Sequence, residues 1–112
     1  MEDIRLKTEP FELDGKTYLL SCSMNVLADV QEAYGGKISN ALSAKATLKS
    51  CLEFLAAMLN DYADSQGWEE RFTARQIGRA LPPPRMQEVI DKVMPLVAAT
   101  FGTEPKEEDG KN

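Results

Sequence analysis

The sequence predicts a mainly α fold (α+β), in which an N-terminal β-hairpin or small antiparallel sheet packs on a bundle of about four to five helices. Three patterns predict it. An Asp-Gly pair lies between two runs of alternating polarity near the start, apolar residues recur at helical spacing through the middle, and a proline run precedes one more apolar stripe. At 112 residues the chain has the size of one domain able to bury a core without disulfide or metal staples. The globular part is expected over residues 1–102, with the hairpin at about 9–22 and the helices at about 24–101, followed by a disordered charged tail over 103–112.

Phe11-Glu12-Leu13-Asp14-Gly15-Lys16-Thr17-Tyr18-Leu19-Leu20 carries the hairpin. Asp and Gly both tolerate the positive φ of a two-residue type I′ turn, whose twist suits the flanking strands. That turn sets Leu13 opposite Lys16, Glu12 opposite Thr17 and Phe11 opposite Tyr18. Phe11, Leu13, Tyr18 and Leu20 then share the face that meets the helices. Ile4-Arg5-Leu6-Lys7 alternates similarly and could add a third strand, since a lone hairpin is marginal in water.

Ser23 is placed to cap a helix over Met24 to Tyr34, which Gly35-Gly36 ends. Its apolar side carries Leu27, Val30 and Tyr34, with Met24 and Ala33 at the margins and Asp29 and Glu32 facing away. Lys37 to Lys45 is ambiguous, either a short helix around Ile38 to Leu42 or a connector leading to a Ser43 cap. Ala46 to Tyr62 gives the strongest periodicity, with Leu48, Cys51, Leu52, Leu55, Leu59 and Tyr62 in one stripe of the central helix. Phe54, with Ala57 and Met58 beside it, forms a second apolar flank that either another helix or another subunit covers. Asp64-Ser65-Gln66-Gly67 breaks the pattern.

Thr73-Ala74-Arg75-Gln76 matches a capping box, so a short helix is expected to about Leu81. Pro82-Pro83-Pro84 is read as a stiff extended joint. The last helix presents Met86, Val89, Ile90, Val93, Val97 and Phe101, and Pro95 should bend it because the Asp91 carbonyl loses its partner.

Composition narrows the chemistry. There are 13 Lys+Arg against 18 Asp+Glu, a formal charge of −5 and no His. The surface as a whole repels phosphate backbones and anionic headgroups, and the commonest general base and metal ligand is missing. No nucleic-acid, membrane or cofactor partner is expected. Cys22 and Cys51 form no C-x-x-C pair and read as two reduced, partly buried thiols. The acidic start Met1-Glu2-Asp3-Ile4-Arg5 lacks the apolar core of a signal peptide, and no run approaches the roughly 20 apolar residues of a membrane span. A cytoplasmic protein is expected.

Asp61, Asp64, Glu69 and Glu70 surround Gly67, but Tyr62 and Gln66 interrupt the ligand alternation of a calcium loop, so they read as solvated charges. No pair among them is set up for acid/base catalysis. Four arginines and no acid fall within residues 71–85, leaving −9 for the rest of the chain. If the helix reaches back to Arg71, then Arg71, Arg75 and Arg79 align at i, i+4 and i+8. Such a ridge is a solvated face with internal ion pairs, a site for an acidic protein partner, or a nucleic-acid contact. Trp68 is a lid over the core or a partner anchor. The candidate partner-binding residues are therefore Phe54, Met58, Trp68, Arg71, Arg75 and Arg79.

The order of these parts resembles the tail assembly chaperones of long-tailed bacteriophages and prophages. The residues that carry the likeness are Phe11-x-Leu13-Asp14-Gly15-Lys16-Thr17-Tyr18-x-Leu20 and a helix running to Gln31-Glu32-Ala33-Tyr34-Gly35. A long apolar helix, a Pro-rich joint, a final helix and a charged tail follow. That family has no catalytic or binding motif to transfer residue by residue. The resemblance implies a non-enzymatic, oligomerising helper that binds the tape measure protein in the bacterial host's cytoplasm and helps recruit tail tube subunits. It also implies a minus-one frameshift near the end of the reading frame, with which Gly110-Lys111-Asn112 is compatible. A structural neck or tail-completion protein and a small helical DNA-binding regulator are the alternatives.

Overall fold

The computed structural model describes residues 7–37 and 48–100. The proposed third strand at Ile4 to Lys7 (all but Lys7), the ambiguous stretch from Ile38 to Lys45, Phe101 and the tail over 103–112 lie outside the described residues. Within them a two-stranded antiparallel sheet packs on helices, the mainly α fold with an N-terminal hairpin expected from the sequence.

Strands β1 (Glu9–Leu13) and β2 (Lys16–Leu20) pair in the predicted register, Leu13 with Lys16, Glu12 with Thr17 and Phe11 with Tyr18. Asp14 at φ 53° and Gly15 at φ 79° both occupy the left-handed region that a type I′ turn requires. Phe11, Leu13, Tyr18 and Leu20 are buried. Pro10, opposite Leu19, falls at a pair whose backbone groups face away from the partner strand, so its missing N–H costs the hairpin nothing. Its carbonyl accepts from Lys92 Nζ at 2.6 Å.

Helix α1 (Met24–Ala33) starts where Ser23 Oγ accepts from the Val26 amide at 3.3 Å. The same hydroxyl donates to Asp61 Oδ2 at 2.8 Å, which ties this helix start to the middle of the chain. The helix ends as expected at Gly35 and Gly36, with Gly36 N–H donating to Gln31 O and Gly35 N–H to Glu32 O. Val26 and Val30 are buried, whereas Met24 is 80% exposed. The buried face is therefore rotated from the expected one, toward Val26 and away from Met24.

Helix α2 (Leu48–Gln66) is the central element, touching β2, α1, the short helix that follows and the final helix. It runs a turn past Tyr62, because Asp64, Ser65 and Gln66 are exposed and suit a last turn. A pair of bonds, Trp68 N–H to Ala63 O and Gly67 N–H to Asp64 O, closes it around Gly67 at φ 77°. Phe54, Leu55, Met58 and Leu59 are all buried. Each fully buried side chain of this size contributes about 1.5–3 kcal/mol relative to exposure.

Phe54 and Met58, each 1% exposed, are core residues. This corrects the reading of that flank as a partner surface. With neighbours on so many sides, α2 leaves no second apolar flank bare.

Beyond α2 a loop folds back, and the Asn60 side chain holds it, accepting from Phe72 N–H at 2.7 Å and donating to Phe72 O at 2.9 Å. Helix α3 (Ala74–Ala80) begins with the predicted capping box. Thr73 Oγ1 accepts from Gln76 N–H, and Gln76 Oε1 accepts from Thr73 N–H. The proline run departs from expectation. Only Pro82 is extended (φ −69°, ψ 147°), and Pro83–Arg85 forms a 3-10 turn closed by Arg85 N–H to Pro82 O at 2.9 Å. Proline fits a first helical turn, where its absent N–H has no partner to lose.

Helix α4 (Met86–Thr100) continues through Pro95, which lies on its exposed side, and buries Val89, Val93, Leu96 and Val97. It closes the fold onto the start of the chain. Arg85 lies over the Phe11 ring at 4.7 Å, and Thr100 Oγ1 donates to Cys22 O at 3.2 Å.

Candidate functional site

The side chains with chemical potential fall into two groups, those spent on holding elements together and those left facing an open groove. Tyr18 is the hub of the first. Its ring meets Tyr62, Trp68 and Phe72 edge-on at 6.0, 5.7 and 5.9 Å. Its hydroxyl donates to Glu70 Oε2 at 2.6 Å, and Lys16 Nζ donates to the same carboxylate at 3.0 Å while lying 4.4 Å from the Trp68 ring centre. Burial first, then the Glu70 carboxylate, push the Tyr18 phenol up. The Tyr18 and Lys16 hydrogen bonds hold Glu70 below its ordinary value. Trp68 is half-buried in this cluster, packed against Tyr18 and Tyr62.

The acidic residues around Gly67 are likewise mostly ties. Asp61 accepts from Ser23 and Asn25, and Asp64 pairs with Arg71. No group of three or more metal-ligating side chains forms among the described residues. Cys22 and Cys51 are unlinked and buried, and burial pushes both thiols up, away from the thiolate that a nucleophile needs. Among the described residues no helix is long and apolar enough to cross a membrane.

Arg71 does not join the expected ridge. Thr73 is the cap of α3, so Arg71 precedes the helix, where it pairs with Asp64 and donates to Glu70 O. Arg85 chelates Glu88 through Nε at 2.8 Å and Nη2 at 3.1 Å. Arg75 and Arg79 remain, four residues apart on α3 and exposed.

They border a groove that runs between α2 and α3 to the start of α4. Its first stretch, about 560 Å³, lies among Asp29 and Glu32 of α1, Lys49, Glu53 and Asn60 of α2, and Phe72 to Arg75. The second, about 510 Å³, shares Lys49, Ala74 and Arg75 with the first and adds Leu48, Leu52, Gly78 and Arg79. The third, about 170 Å³, shares Leu48, Leu52 and Gly78 with the second and ends against Leu81, Pro82, Met86 and Val89. The three stretches adjoin one another through these shared wall residues.

Gly78 shapes the groove's floor. It is an exposed glycine inside a helix, where glycine costs about 0.5–1 kcal/mol relative to alanine. A Cβ there would stand 3.4 Å from Leu52 Cδ1, an ordinary contact distance, so α3 lies close against α2 at this point.

The groove is chemically graded. At the α4 end Leu48 and Met86 are 42% and 45% exposed. In the middle Lys49, Arg75 and Arg79 have neither an ion pair nor a side-chain hydrogen bond among the described residues. At the α1 end stand Asp29, Glu32 and Glu53. Burial first, then neighbouring Glu32, Asp61 and Asp64, raise the Asp29 carboxyl above its usual range, and Arg71 opposes them.

Of the six candidate residues, the structure brings Arg75 and Arg79 together on this groove and places Phe54, Met58, Trp68 and Arg71 elsewhere. Leu48, Lys49, Gly78 and Met86 were missed as site residues. Leu48 and Met86 had been counted as core because they continue buried stripes. A glycine within a capped helix was the one local signal of a close approach. Compared with known protein families, curated proteins and solved structures, the chain gives no match.

Proposed function

We propose that this protein is a non-enzymatic assembly helper of the tail assembly chaperone kind, binding the tape measure protein during tail morphogenesis of a long-tailed phage or prophage. The observation that carries the binding reading is the open groove, with exposed Leu48 and Met86 at one end and beside them three cations that have no ion pair among the described residues. Exposed apolar surface rimmed by charge is the ordinary form of a site for another polypeptide. The phage assignment comes from the order of elements, with a Phe11-to-Leu20 hairpin, helices, a Pro-rich joint and a last helix. On this reading the protein works as a homo-oligomer in the bacterial host's cytoplasm, helps recruit tail tube subunits and leaves before the particle is complete.

The test is co-expression with the tape measure protein from the same gene cluster, combined with mass spectrometry of purified particles. Co-purification, with the tape measure protein more soluble than when expressed alone and this chain absent from particles, supports the proposal. Stoichiometric incorporation into particles overturns it in favour of a neck or tail-completion protein. Failure to bind the tape measure protein also overturns it.

A further inference from the structure

We infer that the α2–α3 groove takes an acidic amphipathic helix, whose apolar stripe enters between Leu48, Leu52 and Met86 and whose carboxylates meet Lys49, Arg75 and Arg79. The inference rests on the reading of this protein as a partner-binding helper, but not on which protein the partner is.

Three observations specify the occupant. The end of the groove at Leu81, Pro82 and Met86 is mainly apolar, and Gly78 and Leu52 carry it into the larger stretch beside Lys49, Arg75 and Arg79. A series of apolar side chains spaced at i, i+3 or i+4, and i+7 matches such a trough. The cations beside it have no ion pair among the described residues, in contrast to Arg71 and Arg85, which pair with Asp64 and Glu88. In a chain of net charge −5, the stretch lined by Leu48, Lys49, Leu52, Arg75 and Arg79 holds three cations and no acid, opposite in sign to the adjoining stretch with Asp29, Glu32 and Glu53. A basic or neutral helix would gain the apolar contacts alone, whereas an acidic one also gains charge pairing and faster, steered encounter. Arg75 and Arg79, one turn apart, suit carboxylates one turn apart on the incoming helix.

The experiment uses two fluorescein-labelled helical peptides with the same leucine stripe, one flanked by Glu and one by Lys, titrated with the full-length protein and read by fluorescence anisotropy. The Glu peptide is expected to bind at least about tenfold more tightly than the Lys peptide, and to weaken as salt is raised. The double variant R75E/R79E is expected to lose at least about tenfold toward the Glu peptide and to gain toward the Lys peptide. L48S/M86S should weaken both. All four positions are exposed, so the variants should fold, and circular dichroism checks that they do.

Failure of the Glu peptide to bind, equal binding of both peptides, or indifference to R75E/R79E overturns the inference. So does an oligomer of the native chain that R75E/R79E dissociates, since a second copy would then fill the groove. If the tape measure protein co-purifies while the Glu peptide fails, the acidic-helix inference falls and the assembly proposal stands. The reverse pair of results supports the inference and removes that partner.

Discussion

Glu70 and Asp29 are both acids near the protein surface, and their surroundings push them in opposite directions. Glu70 is held low by the Tyr18 and Lys16 hydrogen bonds. Its contribution is therefore present at neutral pH, above the unfolded pKa, and is lost as pH falls through the lower folded value. Replacing Tyr18 by Phe should lower the thermal midpoint at pH 7 and flatten its decline toward acid, as measured by circular dichroism melts across pH 3–7. Asp29 is held high by burial and by neighbouring acids, so folding is penalised while it is ionised and the penalty fades on acidification. Asp29→Asn should raise the midpoint at pH 7 and lose that gain at low pH. Phe54 tests packing alone: with the side chain in the core, Phe54→Ala should cost about 3–5 kcal/mol in urea denaturation. A substitution without effect on stability would restore the surface reading.

Among the elements, α3 carries the most specific expectations. Thr73→Ala removes one arm of its capping box and should cost about 1 kcal/mol. Gly78→Ala should stabilise the helix by about 0.5–1 kcal/mol, since the added methyl meets Leu52 at ordinary contact distance, yet it should weaken binding in the groove by raising its floor. Stability and affinity moving in opposite directions would separate the two roles of that position. The elements also show where local sequence carries enough information. An Asp-Gly turn dictates both strand partners and faces, and the Thr73–Gln76 box names its own first helical residue, which by itself places Arg71 outside α3. Apolar periodicity is less informative. It marks Phe54 and Leu48 as apolar but not what meets them, and the answer depends on elements distant in the chain. The Asn60 clasp on Phe72 and the groove formed by α2, α3 and the proline turn are tertiary facts of this kind, so only Arg75 and Arg79 were legible as groove residues.

For the molecule as a whole, the placement of α2 governs how the parts come undone. It contacts β2, α1, α3 and α4, and the hairpin, α2 and the following loop share the cluster around Tyr18. Trp68, the single tryptophan, sits in that cluster, so its fluorescence reports the hairpin side while far-UV circular dichroism reports the helices. The two signals should lose native character at the same denaturant concentration, as expected of one cooperative unit. Separate transitions would show the hairpin releasing before the helices.

Pro10 and Lys92 carry a consequence for crowded assembly. A strand with a bare row of donors and acceptors templates further strands and can seed fibres. On β1 the proline deletes one such donor, and the lysine from the last helix occupies the neighbouring acceptor. Strand addition is thereby blocked at that point of β1.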